Sequence, residues 1–325
     1  MTPASPSALE DAVRTHDLTK RYGSRYALHG LDLAVPRGTL FGFLGPNGAG
    51  KTTTIRILLG LLRATAGSAS VLGRDCRRDG ARLRGEVGYL PGDVRLFDNR
   101  SGAANLRFFC AARGGRGGAD GQARRLADAF GLDLGKRVRS YSRGMKQKLG
   151  LIQALMHRPR LLVLDEPTTA LDPLMREVLY AELRTAVREG RTVLFSSHTL
   201  SEVEQLCDHV AILRDGRLVE SERIEALRAR ALRRVQVVFD GRPPPDRELP
   251  TGLDVVQRTS ERLSGSWTGD VQPLVDWLAR RRVRDLVIAP PDLEDLFRAY
   301  YAAPEAGASA PPAPRPAPAP AEAAR

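Results

Sequence analysis

The chain predicts an α/β domain built on a parallel sheet, with a helical insertion, followed by a small C-terminal α+β domain. Three observations carry this. Strand-like and helix-like runs alternate from residue 12 to about residue 219. The turn Gly45-Pro46-Asn47-Gly48-Ala49-Gly50-Lys51-Thr52 joins an apolar run to a helical one, and it fits the phosphate-cradling pattern G-x-x-x-x-G-K-[ST] without a mismatch. Beyond residue 222 the composition changes to a charged stretch and then to a second, shorter set of strand and helix patterns.

Each element follows from its residues. Residues 1–10 are polar and rich in Pro and Ser, which predicts disorder. Leu40-Phe41-Gly42-Phe43-Leu44 is continuously apolar and reads as a buried strand. In the turn after it, glycines let successive N–H groups face one anion. Lys51 adds a point charge near the outer phosphates, and Thr52 offers a hydroxyl to Mg²⁺. Thr53 begins a helix expected over 53–62, whose positive end faces the anion. Residues 96–156 read as mostly helical, broken by Gly114-Gly115-Arg116-Gly117-Gly118, so the helical insertion spans about 93–157. Asp215-Gly216 between two apolar runs is a hairpin signal, and the α/β domain covers 11–221. Residues 222–234 read as a charged helix or linker. The small domain, 235–302, has expected strands at 235–239, 263–267 and 283–288 and helices at 271–281 and 293–301. The Pro/Ala-rich tail, 303–325, cannot offset its chain entropy and is expected to be disordered.

Composition narrows the function. No stretch approaches the ~18 apolar residues of a membrane span, and the N-terminus carries no signal-peptide pattern, so a cytoplasmic location is expected. Cys76, Cys110 and Cys207 are far apart and form neither a disulfide framework nor a metal pair, so buried free thiols are expected. The net charge of +12 invites a nucleic-acid reading, but the arginines are spread along the chain rather than clustered. No nucleic-acid partner is expected.

Three further segments carry chemistry. Leu161-Leu162-Val163-Leu164-Asp165-Glu166 is an apolar strand ending in two carboxylates, which suits metal-dependent phosphoryl transfer. Asp165 is the candidate for holding Mg²⁺, and Glu166 for orienting and deprotonating the attacking water. Ser142, ahead of an amphipathic helix, reads either as a plain helix cap or as a second anion site with Gly144 just inside the start. His198 ends the strand-like run Arg191-Thr192-Val193-Leu194-Phe195-Ser196-Ser197, where ligand groups gather in a doubly wound sheet.

Taken together, these segments resemble the ATP-binding cassette of ABC transporters, a P-loop NTPase fold. The resemblance covers about residues 13–219. It implies that residues 45–52 are the Walker A loop and residues 161–166 Walker B. Residues 141–145 stand where the family signature belongs, Asp172 belongs to the D-loop, His198 is the switch histidine and Tyr22 stacks on adenine. It also implies a head-to-tail homodimer enclosing two ATP molecules with Mg²⁺, in which Ser142, Arg143 and Gly144 of one copy face the γ-phosphate held by Lys51 of the other. A separate integral-membrane permease subunit is the implied partner, with the chain peripheral on the inner face of the membrane.

Two departures stand out. The signature reads Tyr141-Ser142-Arg143-Gly144-Met145 where the family has Leu-Ser-Gly-Gly-Gln, so Arg143 either adds a phosphate contact or faces solvent. Gly92 stands where a metal-contacting glutamine is usual. With the C-terminal ending Pro291-Asp292-Leu293-Glu294-Asp295-Leu296-Phe297, the chain resembles the ATPases of multidrug and antibiotic-resistance exporters of the daunorubicin-resistance type. The C-terminal domain is either accessory or dimer-stabilising, or a purely structural pack. The alternatives are a soluble cassette ATPase acting on ribosomes or DNA, and the ATPase subunit of an importer.

Overall fold

The structure, a computed structural model, describes residues 11–114, 119–230 and 232–291. The expected disordered ends, most of the glycine run near 114–118 and the helix at 293–301 lie outside the described residues.

The chain opens with three strands, β1 (Asp11–Tyr22), β2 (Arg25–Leu31) and β3 (Ala34–Pro36). Next, β4 (Leu40–Leu44) runs into the glycine-rich turn and helix α1 (Lys51–Leu58). This helix begins at the lysine itself, two residues before the expected start, and Gly60 just past its end stops it short of 62. Then β5 (Ala66–Val71) and β6 (Arg74–Asp75) return to β1, giving an antiparallel sheet β2-β1-β5-β6 with β3 also paired to β1. Simple strand-helix alternation does not anticipate this sheet. Its three opening strands precede any helix and expose one side, so they lack the continuous apolar runs of buried parallel strands.

Next come α2 (Gly80–Glu86), β7 (Val87–Leu90), α3 (Gly102–Ala112), α4 (Ala119–Ala129), a 3₁₀ turn at Val138–Ser140 and α5 (Arg143–Leu155). The chain then alternates: β8 (Leu161–Asp165), α6 (Pro173–Arg188), β9 (Thr192–Ser197), α7 (Leu200–Leu206), β10 (His209–Arg214) and β11 (Arg217–Arg223). The second sheet has the order β11-β10-β4-β9-β8-β7, parallel except for the β10–β11 hairpin.

Parallel strands covered on both faces divide their residues between two cores. Phe41, Phe43, Leu161, Val163 and Leu194 pack in one core with residues of α1 and the antiparallel sheet. Leu40, Leu44, Leu162, Leu164 and Phe195 pack in the other with residues of α4, α5 and α6. In the stretch read as a charged helix or linker, β11 reaches Arg223, α8 (Ile224–Arg230) follows at once, and β12 (Arg233–Phe239) begins three residues later. Ile224 and Leu227 are buried in the same core as Leu162. Two apolar residues at i,i+3 spacing anchor one face of an otherwise charged helix.

The C-terminal unit continues with β13 (Leu253–Arg258), β14 (Arg262–Trp267), α9 (Gln272–Ala279) and β15 (Val283–Pro291). Its antiparallel sheet has the order β13-β14-β12-β15. Phe239, Leu263, Trp267, Leu274 and Leu278 form its own core. Strand β13 is an addition to the three strands read from sequence. It is an edge strand that fully buries only Leu253, so its pattern carries little signal.

Candidate functional site

Neighbouring parallel strands β4, β9 and β8 bring their C-terminal ends to one edge of the sheet, so the residues just beyond them converge. The turn after β4 is held from two sides. Gly45 N–H donates to Ser197 O at the end of β9 (3.2 Å), and Gly216 N–H of the β10–β11 turn donates to Ala49 O (3.0 Å). Pro46, Asn47 and Gly48 form the exposed rim, while Ala49 and Gly50 are buried. Gly50 has φ 107°, and a Cβ there would lie 2.8 Å from Ala27 O, so glycine is required on both counts.

Lys51 is buried and folds back across the turn, its Nζ donating to Gly45 O at 2.6 Å and Pro46 O at 3.2 Å. Glu166 Oε1 lies 3.6 Å from the same ammonium. Burial pushes the Lys51 ammonium below its ordinary value, while the Glu166 and Asp165 carboxylates act in the opposite direction. Thr52 Oγ1 donates to Asp165 Oδ2 at 2.8 Å. Thr53 follows on the first turn of α1, half-buried.

Asp165 is buried at the end of β8, and Glu166 directly follows it with φ 49°, an unusual value for a non-glycine residue. That backbone turns the Glu166 carboxylate toward both Lys51 and His198, whose Nδ1 is 3.4 Å from Glu166 Oε1. His198 is 52% exposed and Glu166 26%, so this edge of the pair opens to solvent.

The structure therefore brings together Lys51, Thr52, Asp165, Glu166 and His198. Tyr22 is separate from that cluster by its place at the end of β1; it is 50% exposed, with Lys20 Nζ 4.9 Å from its ring centre. Residues 142–144 form another neighbourhood. Ser142 caps α5, its Oγ accepting from Met145 N–H at 3.2 Å. Gly144 packs on Ala170, where a Cβ would lie 2.7 Å from the carbonyl oxygen. Arg143 is exposed, on a cavity of about 420 Å³ that Gly92 also lines. Asp172 caps α6, accepting from Met175 N–H at 2.9 Å. Of the cysteines, Cys76 and Cys207 are buried free thiols and Cys110 is half-buried.

Sequence reasoning passed over Ser196. It is fully buried, its Oγ donates to Asp165 Oδ1 at 2.6 Å, and the same oxygen accepts from Glu166 N–H at 3.0 Å. One hydroxyl thus fixes the side chain of one carboxylate and the backbone of the next. Ser197 likewise donates to buried Glu202 at 2.7 Å, and Glu202 accepts from Arg176 at 3.4 Å. The available signal was the pair of hydroxyls closing an apolar strand immediately before His198.

Residues 28–169 match the ABC transporter family pattern. The chain is 40% identical over 227 residues to a daunorubicin resistance ATP-binding protein of Streptomyces coeruleorubidus, covering 68% of this chain and 71% of that one. The chain belongs to the ABC transporter ATP-binding family. A second daunorubicin resistance ATP-binding protein of the same organism is 36% identical over 314 residues, covering 88% of this ABC protein and 94% of the relative. The chain spans only 41% of the length of a probable multidrug ABC transporter ATP-binding protein, YbhF of Escherichia coli K12, with 37% identity over 245 residues. Among solved structures, an ATP-binding subunit of an ABC transporter is 29% identical, with 67% of this chain and 92% of that one covered and a TM-score of 0.64. A dimeric post-hydrolysis ATP-binding cassette bound to ADP and Pi shares the fold, at 22% identity, TM-score 0.60 and coverage of 65% and 98%. The ABC cassette fold is thus established for this chain. Among the described residues no helix is long and apolar enough to cross a membrane.

Proposed function

We propose that this ABC protein is the ATP-hydrolysing subunit of an exporter of drug-like or antibiotic molecules, working with a separate membrane permease. The observation that carries it is the convergence of Lys51, Thr52, Asp165, Glu166 and His198 at one sheet edge. The names of the relatives, drug and daunorubicin resistance ATP-binding proteins, support the export reading.

In this reading the turn at 45–50 wraps the outer phosphates of ATP with backbone N–H groups, and Lys51 leaves its carbonyl partners to meet them. Tyr22 stacks on the base. Thr52 and Asp165 are hard oxygen donors already 2.8 Å apart, a pair that fits Mg²⁺, which prefers a few carboxylate or hydroxyl ligands alongside phosphate oxygens. When bound, Mg²⁺ neutralises charge developing on the phosphates. Glu166 accepts a proton from water as the water oxygen bonds to the γ-phosphorus and the bridging oxygen leaves with ADP. His198, beside Glu166, contacts the γ-phosphate side of the site.

Ser142, Arg143 and Gly144 lie on a different neighbourhood of the chain from residues 45–52, which supports their serving a second copy. Two copies then pair head to tail around ATP and separate after hydrolysis. The permease is met by the exposed aromatic cluster of the helical insertion. There Phe97 (42% exposed) and Phe108 (41%) stack edge to face at 4.8 Å, with Arg100 about 5 Å from both rings. The chain accordingly works in the cytoplasm against the inner membrane face.

Glu166→Gln tests the reading. With Mg²⁺ and ATP the variant should bind nucleotide as tightly as the parent, lose at least about 100-fold in turnover, and run as a dimer on size exclusion. A variant that hydrolyses ATP normally, or stays monomeric with saturating ATP, refutes it.

A further inference from the structure

We propose that a second cavity, at the opposite end of the parallel sheet from the nucleotide turn, is an oxyanion-binding site that takes one carboxylate or phosphate group on the Arg113 guanidinium. The cavity holds about 320 Å³ and is lined by Glu86, Arg113, His157, Arg158 and Arg160, among others. It sits where β7 and β8 begin, at Val87 and Leu161, whereas Asp165 and Glu166 follow the far end of β8.

The charges around it do not cancel. Glu86 is the one acidic residue lining the cavity, and it already accepts from Arg74 at 2.9 Å. Arg158 pairs with Glu189 at 2.5 Å, and Glu189 also takes Arg191 at 2.6 Å. Among the described residues no carboxylate pairs with Arg113 or Arg160. Arg113 has a neutral partner instead: its Nη1 is 2.9 Å from His157 Nδ1 and touches the other ring nitrogen as well. Burial, then the Arg113 charge and more weakly that of Arg191, push His157 down to about 4, against hydrogen bonds with the Val87 and Gln153 backbone that act the other way. The ring is therefore uncharged at neutral pH, and it offers the guanidinium no negative charge in either protonation state. Arg191, close enough to act on His157, has a buried Nε without a hydrogen-bond partner.

A guanidinium keeps its charge when buried, so the deficit is not relieved by losing a proton. Its planar fork matches the two oxygens of a carboxylate or phosphate, and such charge-assisted pairs are about twice as strong as neutral ones. The same chemistry comes from a free phosphate in solution or from an acidic side chain on a bound protein, and two probes separate them.

The test follows the histidine ring resonances of the full chain by NMR. The chain has five histidines, so the spectrum is sparse, and His157→Gln assigns the reporter. Inorganic phosphate and acetate are titrated separately at constant ionic strength. The expected result is a saturable shift of the His157 signals with half-saturation at about 1–10 mM, the affinity of a small anion with few atoms to bind through. Arg113→Met should weaken it at least about tenfold, with Arg113→Lys between, since the charge stays and the fork is lost. Lys51→Ala should leave it unchanged, which separates this site from the nucleotide turn. Tighter acetate binding assigns the site to protein carboxylates; tighter phosphate binding assigns it to free phosphate. No saturable shift by about 50 mM of either probe overturns the proposal. So does an unchanged shift in folded Arg113→Met and Arg113→Lys, or a shift confined to His198.

Discussion

Ser196→Ala isolates the contribution of one buried hydroxyl to the proposed hydrolytic site. The serine is fully buried, donates to Asp165 Oδ1 at 2.6 Å, and accepts from Glu166 N–H at 3.0 Å. Alanine removes a hydrogen bond to a charged acceptor, worth about 1.5–3 kcal/mol, and leaves the Glu166 N–H seeking another partner at a cost of about 1–3 kcal/mol. These overlap, so a stability loss of about 2–3 kcal/mol is expected, read as a lower urea midpoint at unchanged slope. The kinetic effect separates a positioning role from general weakening. Glu166 sits at φ 49°, a conformation costing about 1–3 kcal/mol that the serine helps to hold. Loosening it misaligns the carboxylate toward water and should cut kcat about 10- to 100-fold, or about 1.4–2.7 kcal/mol. KM for ATP should change less than about threefold, because the bonds that hold the 45–51 turn to Gly45, Pro46 and Ala49 do not include Ser196. The Mg²⁺ concentration for half-maximal rate should rise, since Asp165 loses the bond that presents its other oxygen to Thr52. Ser196→Thr, which keeps the hydroxyl, should restore most of kcat even if its added methyl lowers stability. A folded Ser196→Ala protein with parental kcat and Mg²⁺ requirement would refute the reasoning.

Other outcomes follow from the same geometry. Lys51→Ala removes the ammonium that folds across the turn and should weaken MgATP binding at least about 100-fold by equilibrium dialysis; unchanged affinity would remove the turn from the nucleotide site. His157 is held neutral in the fold, at about 4 against an ordinary 6.5. Its folded value is lowered, so the unfolded chain binds the extra proton, and the associated stability is present above 6.5 and lost as pH falls toward 4. At pH 5 about 2 kcal/mol should be gone, at most, measured as the fall in urea unfolding free energy from pH 7.5, and His157→Gln should remove that part of the fall. Phe108→Ala should leave ATP binding by the isolated chain unchanged and reduce copurification with the membrane partner several-fold; undiminished copurification would place the permease contact elsewhere.

How much of this was legible depended on what each residue must do. The phosphate turn was readable because its job fixes residue identity: only glycine fits at 50, where φ is 107° and Ala27 O stands close. Asp165, Glu166 and His198 were readable as polar groups ending apolar strands, since a strand buried on both faces tolerates polarity only where it emerges. Ser196 was not, because serine in a strand end is ordinary, and its importance arises from β8 and β9 lying side by side, where Asp165 pairs with Ser196 in register. The antiparallel sheet was blurred for a related reason. β1 is 12 residues long but mixes buried and exposed positions irregularly, with register shifts against both β2 and β5. The stretch at 222–234 left helix and linker both open because charge dominates it, and among its described residues Ile224 and Leu227 seat the helix in the core.

The departures from the family signature become intelligible in the same terms. Arg143 occupies the first residue of α5, helical and exposed, where a side chain costs nothing in backbone geometry. Gly144 is different: its Cα faces the Ala170 carbonyl, and a Cβ would come within 2.7 Å of that oxygen. Packing within one chain therefore requires glycine at 144 and not at 143, before any second copy is considered. Ala170 itself has φ 62° and lies between Glu166 and Asp172, so the start of α5 is pressed against the segment that runs from Glu166 into α6. Gly92 shows no such constraint. A Cβ there would meet Asp165 Oδ2 at 3.7 Å, an ordinary contact, so the missing side chain reflects no steric bar. Gln147 lines the same cavity, but its Nε2 is committed to Pro167 O at 3.0 Å. The glutamine that the family resemblance leads one to expect at 92 is thus not supplied by Gln147, which ties α5 to the residue after Glu166 instead.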